Sequence, residues 1–446
     1  METINGFISS LSSLVWGAPM LILLVGTGLF LTIRLKGLQF KVVAHAIEIL
    51  FAKDKKAEGD ISQFSALMLS LGATVGIGNI VGVATAIALG GPGAIFWMWI
   101  TGLVGMATKY SEAILAVKYR EKGVNGYKGG AMYYITNGLN MPKLGMAFAI
   151  LTILASFGTG NMTQSNAVAT VLFDQAQIPT WITGMVLVVL TGAVILGGIK
   201  TMGKFTAYFS PFMVLLYMLS AFFIIVTNFD RVPDAFGLIF EHAFAPFAAA
   251  GGFAGAAVAA AIRMGVSRGL FSNEAGLGSS AIAAAAAQTS DPVKQALVSM
   301  LQTLIDTLIV CTMTATVILM APVWLEGGSA GLLTLKSFEF FLGDTGMIIV
   351  FATTVFFAYS TLLGWSYFGE KGFEYAFGEK SVILYRIIFL VFVMVGAVTE
   401  LRFVWNFSDL ANGLMAIPNL IALLLLSKVI VAETNRYFEN GIPKKS

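Results

Sequence analysis

The sequence predicts an all-α integral membrane protein of about eleven transmembrane helices, two of which are interrupted near their middle. Of the 446 residues, 57% are hydrophobic and only 11% are charged, whereas about a quarter of a soluble domain is charged. Many apolar runs reach the ~20 residues that a helix needs to cross a bilayer. The 48 glycines suit the close packing of helices in a membrane.

The predicted spans follow apolar runs that are separated by charged or Gly/Pro-rich breaks. The first run is long enough to span and has no basic segment before it, so we interpret it as a helix and not as a signal peptide. The eleven spans are expected near 13–33, 61–89 (broken), 94–117, 144–171, 181–199, 206–228, 250–288 (broken), 295–320, 345–368, 382–399 and 405–431.

The two broken spans each open a block of five spans. Because five is odd, the second block must cross the membrane in the opposite sense to the first, and paired interrupted helices in inverted halves are typical of transporters. The predicted organisation is an extra N-terminal helix with a basic loop (1–60), a first repeat (61–228), an extracellular loop (229–249), a second repeat (250–432) and a cytoplasmic tail (433–446).

The placement of Lys and Arg predicts the orientation, since cytoplasmic loops carry an excess of both. With the N-terminus outside, 21 of the 27 basic residues fall in inner segments and three in outer segments. The sequence therefore predicts a multi-pass protein of the cell membrane, plasma or inner, with the C-terminus in the cytoplasm.

Glycines and polar groups are concentrated at mid-membrane in two segments, 72–82 and 263–280. Each Gly costs a helix about 1 kcal/mol relative to Ala, so these segments are expected to unwind, the second over 265–276. An unwound backbone at this depth is tolerated only where it lines a cavity or is buried in protein. The alternative, for Gly82 above all, is that small residues serve helix packing.

An unwound segment exposes peptide N–H groups on one side and carbonyl groups on the other. The N–H end attracts a carboxylate, and the carbonyl end with Asn or Thr oxygens suits a hard monovalent cation. An amino acid zwitterion fits both, with its carboxylate at Gly76, Ile77 and Gly78. Its ammonium is expected at carbonyl and hydroxyl groups in the second segment, from Gly269 to Ser272.

Six of the ionisable residues inside the predicted spans form a set whose charges cancel. An unpaired charge at mid-bilayer costs at least ~2.5–3.5 kcal/mol, so we expect pairing, locally for Lys109 with Glu112 and between helices for the others. The alternative is that Glu274 or Asp306 contacts the substrate ammonium or the cation. The six candidates for charge pairing or gating are Lys109, Glu112, Arg263, Arg268, Glu274 and Asp306.

Polar side chains in two further spans are candidate ligands. Gln164 lies in a polar stripe of an otherwise apolar span and is expected either to contact substrate or to bond another helix. Thr353 and Thr354 are candidates for a second cation site, with helix packing as the alternative.

The composition argues against other classes of function. A single cysteine, Cys311, excludes an internal disulfide or a Cys-cluster metal site. An enzyme would need a nucleophile–base pair, and neither His lies in a span. A channel would need a continuous polar pore. A proton-coupled symporter and a non-transporting amino acid sensor remain open. The expected partners are the lipid bilayer and a small amino acid, with no nucleic acid and no obligate protein partner.

Four strings make the sequence similar to the alanine/glycine:cation symporter family. They are Gly76-Ile77-Gly78-Asn79-Ile80, the run 90–99 (GGPGAIFWMW), the run 105–110 (GMATKY) and the run 269–276 (GLFSNEAG). This resemblance covers nearly the whole chain. It implies a LeuT-type fold with a 5+5 inverted repeat and one extra N-terminal helix, and sodium-driven uptake of alanine and glycine.

The resemblance also implies roles for individual residues. Thr74, through its carbonyl, and Asn79 would ligate one sodium ion, and the carbonyls of Gly72 and Val75 a second. Phe271 and Ser272 resemble the substrate-roof and cation-ligand positions, whereas Glu274 has no counterpart in the general pattern. The complete set of expected substrate contacts is Thr74, Gly76, Ile77, Gly78, Gln164, Gly269, Leu270, Phe271, Ser272, Asn273 and Gly276; the expected sodium ligands are Gly72, Thr74, Val75, Asn79, Ser272, Thr353 and Thr354.

Overall fold

The computed structural model describes residues 2–52, 57–124, 126–245, 254–326 and 330–439, and within them almost every predicted span is a helix or a helix pair. The α-helices are Glu2–Val15, Ala18–Arg34, Val43–Phe51, Gln63–Thr74, Val83–Gly90, Ala94–Lys118, Ala131–Tyr133, Pro142–Phe157, Thr163–Ala176, Thr180–Ile195, Gly198–Thr227, Val232–Phe244, Ala254–Asn273, Ser279–Ala285, Pro292–Thr303, Thr312–Met320, Ala330–Leu342, Asp344–Phe377, Val382–Val398, Leu401–Leu425 and Ser427–Phe438.

Short elements complete the architecture. Wider π-helical turns lie at Gly78–Gly82, Tyr134–Gly138, Gly158–Met162 and Leu304–Cys311. One antiparallel hairpin pairs strand Glu121–Gly123 with strand Gly126–Lys128. The predicted tail beyond residue 439, and the part of the span 250–288 before residue 254, lie outside the described residues.

Six helices of the described residues are long and apolar enough to cross a membrane, and two bent pairs raise this number to eight. The helices Gly198–Thr227 and Glu379–Val398 are only 33% and 28% buried over their apolar windows, as expected for helices that face lipid. The protein is therefore multi-pass and helical, while the count of eleven spans and the inverted repeat stay predictions.

The first break lies where the sequence predicts it. Helix Gln63–Thr74 ends at Thr74, and the chain resumes at Gly78–Gly90 with a bend of 53°. Ser62 begins the first half, since its side chain accepts a hydrogen bond from the Ser65 N–H at 3.0 Å. We call these two pieces the first broken helix.

The second break lies further along the chain than predicted. Helix Ala254–Asn273 runs unbroken through Gly265 and Gly269, and the interruption falls between it and helix Ser279–Ala285. Gly265 and Gly269 serve packing instead, because a Cβ at Gly265 would lie 2.2 Å from the Ala94 carbonyl oxygen and one at Gly269 would lie 3.3 Å from Met98. These two pieces form the second broken helix.

The conformation at the second break explains its position. Glu274, Gly276 and Gly278 have φ values of 56°, 97° and 77°. This left-handed region is open to glycine and disfavoured for other residues. The helix therefore ends just before Gly276 and Gly278, which can adopt these positive φ values.

One helix occupies the segment predicted as an extracellular loop. Helix Val232–Phe244 packs aromatic rings onto the start of helix Ala94–Lys118, with Phe236 stacked on Trp99 at 5.8 Å between ring centroids. The Trp97 indole donates to the Ala243 carbonyl at 3.0 Å.

Candidate functional site

The two broken helices meet at their breaks. A Cβ at Gly78 would lie 3.1 Å from the Phe271 ring and 3.3 Å from the Cα of Ser272. The glycine therefore lets the backbone of the first break lie directly against the carbonyl end of helix Ala254–Asn273.

A buried carboxylate lies beside this junction. Asp306, in the wide turn Leu304–Cys311, accepts hydrogen bonds from the Asn79 side-chain amide at 2.9 Å and from the Ser272 hydroxyl at 2.7 Å. The Thr307 hydroxyl donates to the same carboxylate at 2.8 Å. Asn79, Ser272 and Asp306 are all fully buried, so this oxygen-rich cluster, which we call the Asp306 cluster, holds a carboxyl group away from water.

Asn79 is held in one orientation by the first break. Its Oδ1 accepts from the Gly76 N–H at 3.0 Å, which directs its amide nitrogen to Asp306.

Thr74 is linked to the second broken helix through Gln302, whose Nε2 donates to the Thr74 hydroxyl at 2.9 Å and to the Asn273 carbonyl at 3.0 Å. Gln302 thus links the C-terminal ends of helices Gln63–Thr74 and Ala254–Asn273, the two pieces that lead into the breaks.

Oxygen atoms of three helices meet around Gly72. The Thr361 hydroxyl donates to the Gly72 carbonyl at 3.3 Å. A Cβ on Gly72 would lie 2.5 Å from the Ser360 hydroxyl and 2.7 Å from the Ser210 hydroxyl, and these two buried hydroxyls have no hydrogen-bond partner among the described residues.

The threonines predicted for a second cation site lie elsewhere on the same helix. The hydroxyls of Thr353 and Thr354 bond carbonyls of their own helix, with Thr354 donating to Val350 at 2.7 Å. Thr361 is eight residues beyond Thr353, about 12 Å along a helix, and it is the side chain that reaches Gly72.

Gln164 lies close to the first break. Its Nε2 donates to the Thr159 carbonyl at 3.0 Å, while its Oε1 is buried with no partner among the described residues. A Cβ on Gly76 would lie 3.5 Å from this Oε1 and 2.5 Å from the Thr361 hydroxyl. The unused acceptor therefore lies next to Gly76 and beside Thr361.

The N–H groups of the second break are already occupied. Glu112 Oε1 accepts from the N–H groups of Gly276 and Gly278, both at 3.0 Å, and from the Asn419 amide at 2.8 Å. Asn419 also donates to the Gly276 carbonyl at 2.8 Å. Both polar backbone groups of Gly276 are consumed by side chains, so it offers them to no other ligand.

Lys109 and Glu112 direct their hydrogen bonds to the second break and not to one another, although each stays within electrostatic reach of the other. Lys109 donates to the Ser280 hydroxyl, and Glu112 accepts the N–H groups described above. Glu274 accepts from the Ser279 hydroxyl at 2.6 Å and from the Trp365 indole at 2.8 Å. The physical reason is that unwound N–H and hydroxyl groups at this depth need acceptors that water cannot supply.

A second cluster of charge lies on the other side of Phe271. Arg268 forms an ion pair with Asp409 at 3.1 Å, and its guanidinium lies 5.6 Å from the centroid of the Phe271 ring. Phe271 stacks on Trp405 at 5.2 Å. Arg263 is exposed and lines a cavity of about 140 Å³ together with Arg268 and Asp409.

This geometry defines a class of protein. Two interrupted helices that meet at their breaks, with a buried carboxylate beside the junction, form the kind of site that secondary transporters build from discontinuous helices. The protein is a polytopic membrane transporter of LeuT-like fold, and not an enzyme.

The comparisons with known proteins identify its family. The model of the sodium:alanine symporter family matches residues 1–445, so the chain belongs to that family of symporters. It is 51% identical over 443 residues to the sodium/alanine symporter AgcS of Methanococcus maripaludis, covering 97% of each chain. It is 40% identical over 431 residues to the probable sodium/glutamine symporter GlnT of Bacillus subtilis, covering 96% of this chain and 89% of the relative.

A solved structure supports the fold. The transporter MhsT in complex with L-phenylalanine superposes with a TM-score of 0.61 at 14% sequence identity, over 83% of this chain and 89% of the other. At this identity the likeness concerns the fold alone.

Several residues of the site are not among the sequence candidates. Thr361, Ser360 and Gln302 look like ordinary polar residues of apolar helices, and only the packing brings them to the breaks. Asp409 could have been found, because it is a charged residue inside the predicted span 405–431.

Proposed function

We propose that the protein is a sodium-coupled symporter that carries alanine and glycine into the cell by alternating access. The observation that carries this proposal is the junction of the two breaks at Gly78 and Ser272, with the Asp306 carboxylate beside it. The names of the relatives, sodium/alanine and sodium/glutamine symporters, support a sodium-coupled amino acid carrier.

The substrate carboxylate is assigned to the first break. Gly76, Ile77 and Gly78 lie at the start of a half-helix, where the dipole favours an anion. The Gly76 N–H bonds Asn79 Oδ1, so this assignment depends mainly on the N–H groups of Ile77 and Gly78. The second break is unsuited to this role because Glu112 already accepts its N–H groups. The sequence predicts the ammonium between Gly269 and Ser272, but Gly269 lies within an unbroken helix. We therefore assign the ammonium to the carbonyl end of that helix, at Ser272, and to the Gln164 Oε1, which has no partner among the described residues.

The substrate is assigned to the small amino acids because the site is narrow. Thr361 and Phe271 approach the glycines of the first break so closely that a single added Cβ would overlap the Thr361 hydroxyl. Glycine and alanine carry at most one methyl group as a side chain, so they need the least room of all amino acids beside these glycines.

One sodium ion is assigned to the Asp306 cluster. Sodium is a hard cation that suits carbonyl and other oxygen ligands, and the cluster offers the Asp306 carboxylate and the Ser272 hydroxyl. Thr74 and Asn79, the ligands that the family resemblance implies, lie at the adjoining first break, where Asn79 Oδ1 accepts from the Gly76 N–H. The negative charge of Asp306 would be compensated by the ion, which makes the residues present a good fit for it.

A second sodium ion is assigned to the carbonyls of Gly72 and Val75. The hydroxyls of Thr361, Ser360 and Ser210 support this position, since they surround Gly72. Thr353 and Thr354 stay predicted ligands of this ion, with Thr361 as their competitor on the same helix.

Coupling follows from the shared site. If bound sodium completes the surface that holds the zwitterion, each ligand raises the affinity for the other by the same factor. The two halves of the fold then rock about the site and expose it to one side at a time.

The orientation is assigned with the N-terminus outside. Ion pairs join segments that the topology places on the inner side, namely Lys118 with Glu433 at 2.5 Å and Arg436 with Asp291 at 2.7 Å. The two pairs support a common side for these segments, and we keep the predicted organisation of an N-terminal helix (1–60), two repeats (61–228 and 250–432), an outer loop and an inner tail.

Uptake into proteoliposomes tests the function. Alanine and glycine should enter saturably when sodium is outside and should stop entering when potassium replaces it. Asp306→Asn should raise the sodium concentration that gives half-maximal uptake by at least ~10-fold. The control Asn137→Ala removes an exposed amide bonded to Glu121 and should leave uptake unchanged. Linear flux would indicate a channel, and binding without flux a sensor.

A proton-coupled symporter is the second candidate, and Asp306 is the observation in its favour. A buried carboxylate can bind a proton as well as sodium. Uptake that follows an imposed pH gradient in sodium-free buffer, and is lost in Asp306→Asn, would favour protons over sodium.

A further inference from the structure

The chain segments that flank the two broken helices pair with one another on one side of the molecule. Residues 58–61 precede the first broken helix, and residues 286–289 follow the second. Asp60 N–H donates to the Ala286 carbonyl at 2.8 Å, and Gln288 N–H donates to the Ile61 carbonyl at 2.7 Å. The outer ends of two otherwise separate half-helices are thereby joined through their backbones.

One side chain fastens this pairing. Arg120, at the end of helix Ala94–Lys118, donates to the carbonyls of Ala285 at 3.1 Å, Ala287 at 2.8 Å and Glu58 at 2.8 Å. A fourth, longer contact of 3.4 Å reaches the Thr289 carbonyl. The guanidinium spans both segments because its donors form a rigid planar fork.

The hairpin 121–128 holds the guanidinium in place. The Tyr127 ring lies 4.3 Å from the Arg120 guanidinium carbon, within the range of a cation–π contact. The Tyr127 hydroxyl donates to the Glu58 carboxylate, and the Tyr127 N–H donates to Asp60 at 2.7 Å. The hydrogen bond from the Tyr127 hydroxyl lowers the pKa of Glu58 the most, and the positive charge of Lys122 lowers it further. This carboxylate therefore stays ionised at neutral pH.

We propose that Arg120 is a positioning residue for transport, which locks the inner ends of both broken helices together and keeps that side of the substrate site closed. The site can open to this side only if segment 58–61 separates from segment 286–289. That separation would break hydrogen bonds between the Arg120 guanidinium and the carbonyls of one of the two segments, so Arg120 stabilises the closed state. Loss of Arg120 should therefore shift the population toward the state that is open on this side. The inference rests on the proposed alternating access and needs no particular substrate.

Cys311 offers a reporter for this opening. It is the single cysteine of the chain and is buried in the Asp306 cluster, where its sulfur lies 3.3 Å from the Asn79 amide nitrogen and 3.2 Å from the Ser272 hydroxyl oxygen. A small, membrane-impermeant methanethiosulfonate can reach the thiol only when one side of the site is open. No second cysteine contributes background.

The experiment measures the rate of Cys311 modification from each side of sealed proteoliposomes, without amino acid or sodium. In Arg120→Gln the rate from the side of Glu58 should rise at least threefold, and the rate from the opposite side should fall. Arg120→Lys keeps the charge but loses the fork, and should give a smaller rise. The matched control is Arg436→Gln, which removes an exposed arginine bonded to Asp291 on the same side and should match the wild type.

Transport kinetics separate this role from a purely structural one. A population shift should raise KM for uptake with less change in Vmax per folded molecule, because the outward-facing state becomes scarcer. A defect in folding would lower Vmax and monodisperse yield alone. Modification rates equal to wild type in folded Arg120→Gln, or in Arg120→Lys where the Gln variant does not fold, would overturn the proposal. Because the assay omits both ligands, it can succeed even where alanine or sodium proves to be the wrong assignment.

Discussion

Trp365 and Glu274 are joined by a buried hydrogen bond, in which the indole Nε1–H donates to Glu274 Oε1 at 2.8 Å. Trp365 lies on helix Asp344–Phe377, and Glu274 lies at the second break with a φ of 56°. Both side chains are at most 2% exposed. A residue in this disfavoured conformation is held there by its contacts, and Trp365 supplies one of them from a separate helix.

Trp365→Phe should therefore impair both stability and transport. The change removes the donor while keeping an aromatic ring, and leaves a buried carboxylate oxygen unpaired at a cost of about 1–3 kcal/mol. Thermal unfolding in detergent and initial rates of uptake measure the two effects. The control is Tyr359→Phe on the same helix as Trp365, which removes an exposed hydroxyl that donates to the Leu190 carbonyl of helix Thr180–Ile195 and should change neither quantity. An unchanged melting temperature in Trp365→Phe would contradict the assigned role of the Trp365–Glu274 contact.

Gly76→Ala should abolish most uptake. The added methyl group would lie 2.5 Å from the Thr361 hydroxyl, so either the first break or helix Asp344–Phe377 must shift, and we expect at least a ~10-fold loss in Vmax/KM. Radiolabelled alanine uptake is the measurement. The matched control is Gly82→Ala in the same helix, where a Cβ has nothing within 4 Å; retained uptake in Gly76→Ala would show that the space is not needed.

Thr361→Val should weaken the apparent affinity for sodium more than Thr353→Val does. Thr361 reaches the Gly72 carbonyl, whereas the Thr353 hydroxyl bonds the Ile349 carbonyl of its own helix at 2.8 Å. We expect a shift of about 5- to 50-fold in the sodium concentration that gives half-maximal uptake, corresponding to ~1–2.3 kcal/mol. The reverse order of the two variants would assign the second ion to Thr353 and Thr354, as the sequence predicts.

Glu112→Gln should destabilise the protein without a change in substrate selectivity. Glu112 Oε1 accepts from the N–H groups of Gly276 and Gly278, while its Oε2 is buried without a partner among the described residues. The Gln side chain therefore leaves its new NH2 group buried without an acceptor, or turns that group toward the two N–H donors. A loss of about 1–3 kcal/mol is expected, seen as a lower melting temperature. Glu48→Gln, at a side chain that is 52% exposed, is the control. A shift in the ratio of alanine to glycine uptake in Glu112→Gln would instead place Glu112 in the substrate site.

The first break could be predicted from sequence because Gly76 and Gly78 are followed by Asn79 in an otherwise apolar span. Closely spaced glycines alone are explained by helix packing, but packing does not require the Asn. The second could not be located, because glycines that allow close packing and glycines that allow a positive φ look alike in a sequence. Gly265 and Gly269 are of the first kind, and Gly276 and Gly278 are of the second.

The partners of the charged residues were equally hidden from the sequence. The sequence requires Glu112 and Arg268 to find partners, but the partners are a pair of peptide N–H groups and the distant Asp409. Such contacts depend on how helices separated by more than a hundred residues pack, which no local pattern encodes.

The carboxylate of Glu112 makes the two halves of the molecule chemically unequal. The interruption at Gly76 is the one we propose for the solute, while the N–H groups of the other are bonded by a carboxyl group that the chain itself provides. If the proposed site is correct, substitutions around Gly76 should alter which solute is carried while the contacts at Gly276 stay in place, because those contacts are made by Glu112 and Asn419 and need no solute.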